Sequence, residues 1–460
     1  MKHSAQRDNT GWRAPEIRVM QTDRGELAEM VARLGLRGKM DLDPVIESVS
    51  AILSQVRTSG DDAVLDLTER FDLVRLTAAD LRVSEPEISE ALEKTEFALL
   101  DVMRRAAANI RCFHEAQKPA DVELPAGRGG SISLISRPLD TVGVYVPGGT
   151  APLPSSVLMN IIPAKAAGVR KVVMCTPPRA DGSVDPAILA AASIAGADEI
   201  FRIGGAQAIA AMAYGTASIP RVDKITGPGN IYVNTAKRLV FGQVDIDMFA
   251  GPSEILIIAD STAAPSFLAA DLLSQAEHDV LASALMITDS LSLAEQTAAE
   301  VSRRAALLPR AAIVSRSLEN YGAILVVPDL ATAVDFANEL SPEHLELCVS
   351  EPDALLPAIK NAGAIFIGPW SPEPLGDYFA GTNHVLPTSG TARFFSPLGT
   401  ADFIKKISLI RYTREDLADC WRAVADFAEA EKLEAHAESV RVRFGADRLA
   451  GLGRSNCCSE

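Results

Sequence analysis

The sequence is poor in aromatic residues, which make up 5% of its 460 positions, and its 6 cysteines include no C-x-x-C spacing. Cysteine this sparse excludes a disulfide-stapled scaffold and a thiolate metal site. Cys112, Cys175, Cys348 and Cys420 stand singly in apolar surroundings, where reduced thiols are expected. No apolar run approaches the roughly 18 residues of a membrane-spanning helix. The longest, PAILAAASIAGA, runs out at Asp198 and Glu199. The opening stretch MKHSAQRDNTGWRAPEIRVM lacks the apolar core of a secretory signal. Blocks of Lys and Arg are absent too, and 44 basic against 60 acidic residues leave a net charge of −16. Nucleic-acid backbones and anionic membranes need concentrated positive charge, so neither is expected as a partner. These absences point to a cytoplasmic location.

What is there is a 48% apolar fraction in a chain long enough for two or more domains. Over residues 43–118 apolar positions recur every three or four residues, which predicts helices, with Asp43 and Pro44 as a first cap and turn. From about residue 140 short continuous apolar runs such as VGVYVP, KVVMCTP, ILIIAD and ALMITD alternate with Ala-rich helical stretches. That texture predicts parallel strands covered on both faces. About nine strands exceed one comfortable sheet, so the fold class expected is α/β with two doubly wound parallel-sheet domains. Strands are expected to stop after about Pro397, leaving a long C-terminal helix and a short arm.

Several polar constellations could carry chemistry. In DLLSQAEHD a helix would place Asp271, Gln275 and His278 on one stripe, with Gln275 and His278 able to reach a single cation. The plainer reading is a solvent-facing stripe. ELSPEHLEL sets Glu343 beside His344, the two commonest proton-transfer side chains, though a surface Glu beside a packed His gives the same letters. WSPEPLGDYFAGTNHVLPTSGTARFFSP is long, irregular and holds Asp377, His384 and Arg393. Asp377 and His436 could join Gln275 and His278 in an N/O donor set suited to zinc or a neighbouring divalent ion. Turn or capping hydrogen bonds are the alternative for each. Glycine-rich turns at RIGGAQ and ITGPGN follow predicted strands and open helices, where a phosphate is favoured, yet the G-x-G-x-x-G fingerprint is missing.

Taken together, VGVYVPGG, RIGGAQAIAAMAYGT, GPGNIYV, DIDMFAGPSEILIIAD, DLLSQAEHD, SPEHLEL, GDYFAGTNHVLPTSGTARFFSPL and AEKLEAHAESVRVR closely resemble the histidinol dehydrogenase family, in order, from about Asp43 to Phe444. The resemblance implies two Rossmann-like domains with small N- and C-terminal helical segments. The boundaries expected are a helical, partly disordered arm over 1–44, one α/β domain from 45–144 and 255–398, a second, NAD-proximal one over 145–254, and a dimerisation segment over 399–460. It implies NAD-dependent oxidation of L-histidinol through L-histidinal to L-histidine. It implies one Zn2+ per subunit on Gln275, His278, Asp377 and His436, with Glu343 and His344 handling protons and water. Ser253, Glu431, His344 and the metal-site residues would contact substrate. NAD would lie near Tyr145, Gln207 and Asn230. Glu431 and His436 would come from the partner in a domain-swapped homodimer. A paralogue oxidising another small diol, for instance a sulfonated one, is the alternative. Leu153 departs from the aromatic that many members carry.

Overall fold

The computed structural model describes residues 15–22, 24–35, 43–148, 152–248 and 251–445. In chain order the early strands are β1 (Arg18–Gln21), β2 (Val122–Ala126), β3 (Gly130–Pro138), β4 (Thr141–Tyr145) and β5 (Lys171–Thr176). There follow β6 (Glu199–Arg202), β7 (Lys224–Thr226), β8 (Asp245–Ile246), β9 (Glu254–Ala259) and β10 (Ser283–Thr288). The last are β11 (Gly322–Val326), β12 (His344–Cys348), β13 (Ala364–Ile367) and β14 (Ile404–Arg411).

The chain divides into two compact units, Met1–Lys118 with Leu139–Phe403, and Pro119–Pro138 with Ile404–Glu460. The first unit holds two sheets, each parallel throughout. One is six-stranded in the order β1-β11-β10-β9-β12-β13, the other five-stranded in the order β6-β5-β4-β7-β8. Every residue of β9 and β10 is buried, as expected where helices cover both faces of a parallel sheet. The α/β class with two parallel sheets therefore stands, and each run read as a strand between 140 and 370 is one.

Four features differ from the sequence reading. β1 adds an edge strand to β11 from a segment read as part of a helical arm. Strands do not stop after Pro397, because β14 pairs antiparallel with β3 along its whole length, and β3 with β2. That antiparallel sheet belongs to the second unit. The C-terminal helix is two helices, Arg414–Ala430 and Glu434–Arg441. The left-handed backbone of Lys432 (φ 62°) breaks them. The helices Asp43–Ser59 and Asp61–Asp72, grouped from the sequence with 255–398, share a buried cluster with the five-stranded sheet through Val49, Leu53 and Val64 against Phe201 and Ile209. Periodicity marks an apolar face but not which sheet it covers.

Candidate active site

The first unit has a cavity of about 210 Å³ between the carboxyl ends of β7 and β8 and the amino ends of β9 and β12. The turn Gly227–Pro228 forms one wall, and Ser253, Glu343 and His344 stand on the other. A larger cavity of about 770 Å³ lies along β13 and residues 396–402 without including the Glu-His pair.

β9 and β12 are neighbours in register, and both proton-transfer candidates hang from one residue of β9. The Glu254 N–H donates to Glu343 Oε2 at 2.9 Å, and the Glu254 carbonyl lies 2.9 Å from His344 Nδ1. A carbonyl only accepts, so Nδ1 carries the imidazole proton and Nε2 keeps its lone pair. That Nε2 has no hydrogen-bond partner, though His344 is 3% exposed. Burial holds the His344 pKa below its usual value, outweighing the opposite pull of Asp377. The result is a neutral base directed at acidic groups. Its Nε2 lies 3.7 Å from Glu373 Oε1 and 3.9 Å from Asp377 Oδ1.

Glu373 and Asp377 sit one turn apart on the short helix Glu373–Tyr378. Burial first, then the neighbouring Asp377 carboxylate, pushes the Glu373 pKa well up from its usual value. Donor atoms of His344, Glu373 and Asp377 all lie within 4.8 Å of one another, the spacing of a cation site. Gln275 adds a second sign. Its side chain is wholly buried, faces the cavity, and has neither amide atom hydrogen-bonded. An amide left in that state lacks a partner that a cation and its ligands would supply. The donors present are nitrogen and oxygen only, which fits zinc.

The structure brings Ser253, Gln275, His278, Glu343, His344 and Asp377 to one cavity. His278 reaches it differently from expectation. The helix ends at Ala276, so His278 lies in the turn beyond rather than on the helical stripe. His384 approaches Asp377 with Nδ1 3.1 Å from its carbonyl oxygen. Glu431 and His436 are exposed residues of the second unit, at the end of Arg414–Ala430 and on Glu434–Arg441. Tyr145, Gln207 and Asn230 are not among the cavity's lining residues. The buried Tyr145 hydroxyl accepts from the Gly205 N–H at 3.2 Å, and burial drives its pKa to about 12. Gln207 is 1% exposed. Asn230 caps the helix Ile231–Val240, accepting from the N–H groups of Tyr232 and Val233. Sequence reasoning missed Glu373, Lys237, Asp247 and the anchoring role of Glu254. For Glu373 the signal was its four-residue spacing from Asp377 in PEPLGD.

The sequence profile of histidinol dehydrogenase matches residues 36–444. The chain belongs to the histidinol dehydrogenase family. A histidinol dehydrogenase of Bacillus thuringiensis subsp. konkukian is 53% identical over 405 residues, covering 88% of this chain and 94% of that protein. One from Listeria innocua is 53% identical over 403 residues, 87% of this chain and 93% of its own length. The crystal structure of histidinol dehydrogenase from Elizabethkingia anophelis superposes with a TM-score of 0.89 at 37% identity, covering 95% of this chain and 99% of that one. Among the described residues no helix is long and apolar enough to cross a membrane.

Proposed function

We propose that this chain oxidises L-histidinol through L-histidinal to L-histidine, consuming two NAD per substrate. Beyond family membership, the observation that carries this reading is the neutral, buried His344 with an unpartnered Nε2, tied beside Glu343 to one residue of β9. In the first step His344 Nε2 takes the alcohol proton while the carbinol carbon gives hydride to the first NAD. The aldehyde then adds water, and Glu343 takes a proton from that water as it attacks. The aldehyde oxygen takes back the proton held by His344, the diol then loses one hydroxyl proton to His344 as its carbon gives hydride to the second NAD, and the remaining acid proton passes to solvent as the carboxylate is released.

Zinc would be held by Gln275, His278 and Asp377, with His436 supplied by a second copy of the chain. When bound, it supplies an electrophilic centre that fixes the nitrogen donors of the substrate. Ser253, and Glu431 from the second copy, would complete substrate binding in a domain-swapped homodimer. NAD would occupy the side of the cavity formed by the five-stranded sheet, near Tyr145, Gln207 and Asn230.

The test is direct. Protein purified with zinc and given L-histidinol and NAD should form two NADH per histidinol and release histidine. Turnover of another alcohol with none of histidinol would reject the reading.

A further inference from the structure

Lys237 is a charged residue that the reaction above does not use. It lies on the helix Ile231–Val240 and is 1% exposed, as is its partner Asp247. Its ammonium forms an ion pair with Asp247 Oδ1 and donates to the carbonyls of Gly227 at 3.0 Å and Met248 at 3.1 Å. Asp247 Oδ2 in turn accepts the Gly227 N–H at 2.8 Å. One charge pair thus holds both backbone polar groups of Gly227. The third side of this residue is closed as well. Its φ is +116°, and a Cβ there would sit 2.0 Å from the Tyr145 carbonyl oxygen.

The two carbonyls that Lys237 joins belong to different parts of the cavity wall. Gly227 opens the turn to Asn230 after β7, while Met248 lies on the connection from β8 to β9, where the chain passes from one sheet to the other. A buried ion pair is a poor source of stability, because desolvation offsets most of the attraction and apolar replacements of similar volume are often tolerated. What this pair supplies instead is position.

We propose that Lys237 and Asp247 are positioning residues for NAD, holding the Gly227–Asn230 turn at a fixed height against the β8–β9 connection. The inference rests on the dehydrogenase reading and assigns the turn to the dinucleotide side of the cavity. Lys237 and Asp247 line the same cavity as Gln275, His278, Asp377 and the Glu343–His344 pair, but the hydrogen bonds of the clamp run to Gly227 and Met248 rather than to any of those side chains. Loss of the clamp should therefore weaken NAD and spare zinc and histidinol.

A single Lys237→Met change would strand the buried Asp247 charge, so the informative variant is the double change K237M/D247N. The amide introduced by D247N still offers an oxygen to the Gly227 N–H, while the two carbonyls lose their donor. Calorimetry on the zinc-loaded dimer should show NAD affinity weakened tenfold or more, with zinc affinity and the KM for histidinol within twofold of wild type. A folded double variant that binds NAD like wild type overturns the proposal. So does one in which NAD, zinc and histidinol all weaken together, which marks a merely structural pair. A second arm uses K237A with added ethylammonium, which returns an ammonium to the vacated space. Recovery of NAD affinity with ethylammonium, and not with sodium at equal ionic strength, is expected; no recovery overturns the proposal. Wild type that fails to bind NAD at all would instead reject the dehydrogenase reading beneath it.

Discussion

His344 commits Nδ1 to the carbonyl of Glu254, which leaves Nε2 as the only ring atom able to take a proton. His344→Asn preserves much of the shape without the base, and kcat should fall by about 10²–10⁴-fold while zinc content stays at wild-type level. NADH formation in a stopped-flow assay, set beside metal analysis, checks this. Glu343→Gln should act selectively on the oxidation of L-histidinal, slowing it more than that of L-histidinol. The depressed pKa of His344 also has a sign. The unfolded chain protonates this ring first as pH falls below the ordinary value of 6.5, so both stability and base function are lost in that direction. The acid limb of kcat/KM should accordingly fall below pH 6.5. Asp72 runs the other way. Burial raises its pKa from 3.8 to about 6 and leaves Oδ2 without a partner. The folded state then holds the proton more tightly, so its stability drops as pH rises through that window. Asp72→Asn should stabilise the protein by about 1 kcal/mol at pH 7, after discounting for solvent screening, and by nothing at pH 3.5. Thermal melts at the two pH values decide it.

Among the elements, the helix Asp61–Asp72 ends in a way that invites change. Leu73 caps it in the left-handed region at φ 58°, with 84% of its surface exposed. A side chain there costs about 1 kcal/mol that glycine avoids. Leu73→Gly should therefore raise the melting temperature by about 2–4 °C, and an unchanged or lower value would show that the exposed leucine has a compensating contact. Element character also explains what the sequence disclosed. Strands such as EILIIA and SALMIT were legible because burial on both faces leaves no polar interruption. β14, IKKISLIR, was not, since it mixes lysines with apolar residues and most of its positions are exposed. β1 is four residues long and lies at a sheet edge, too short for any period to emerge. At the site, Glu343, His344, Gln275 and Asp377 could be named from the family blocks that contain them. Glu254 could not, because it acts through its backbone, and neither could the clamp of Lys237, which depends on a carbonyl brought near by folding.

For the whole molecule the open matter is assembly. The second unit has a small buried cluster, Ala425, Ala428 and Ala437, while Phe427 and Ile410 are 72% and 73% exposed. The proposed dimer should show a native mass of about twice 48.9 kDa by light scattering. Exchange of active-site residues has a sharper signature. His436→Ala and Glu343→Gln chains should each form little or no histidine alone, and histidine formation is the activity followed. Unfolded together and refolded, they should regain about a quarter of wild-type activity, since one site in each mixed dimer is whole. No recovery would mean that each chain builds its site from its own residues.

The tethering of Glu343 and His344 to Glu254 bears on how the protein can vary. The two groups to which they are bound are the N–H and C=O of one residue, a pair whose separation is set by covalent geometry and the extended backbone of β9 rather than by side-chain packing. A substitution that shifts β9 would carry both side chains as one body, leaving the spacing between them unchanged. The activities that depend on them would drift jointly under substitutions that act through β9, whereas changes at position 343 or 344, or at the Glu373 and Asp377 carboxyls beside His344, could separate them.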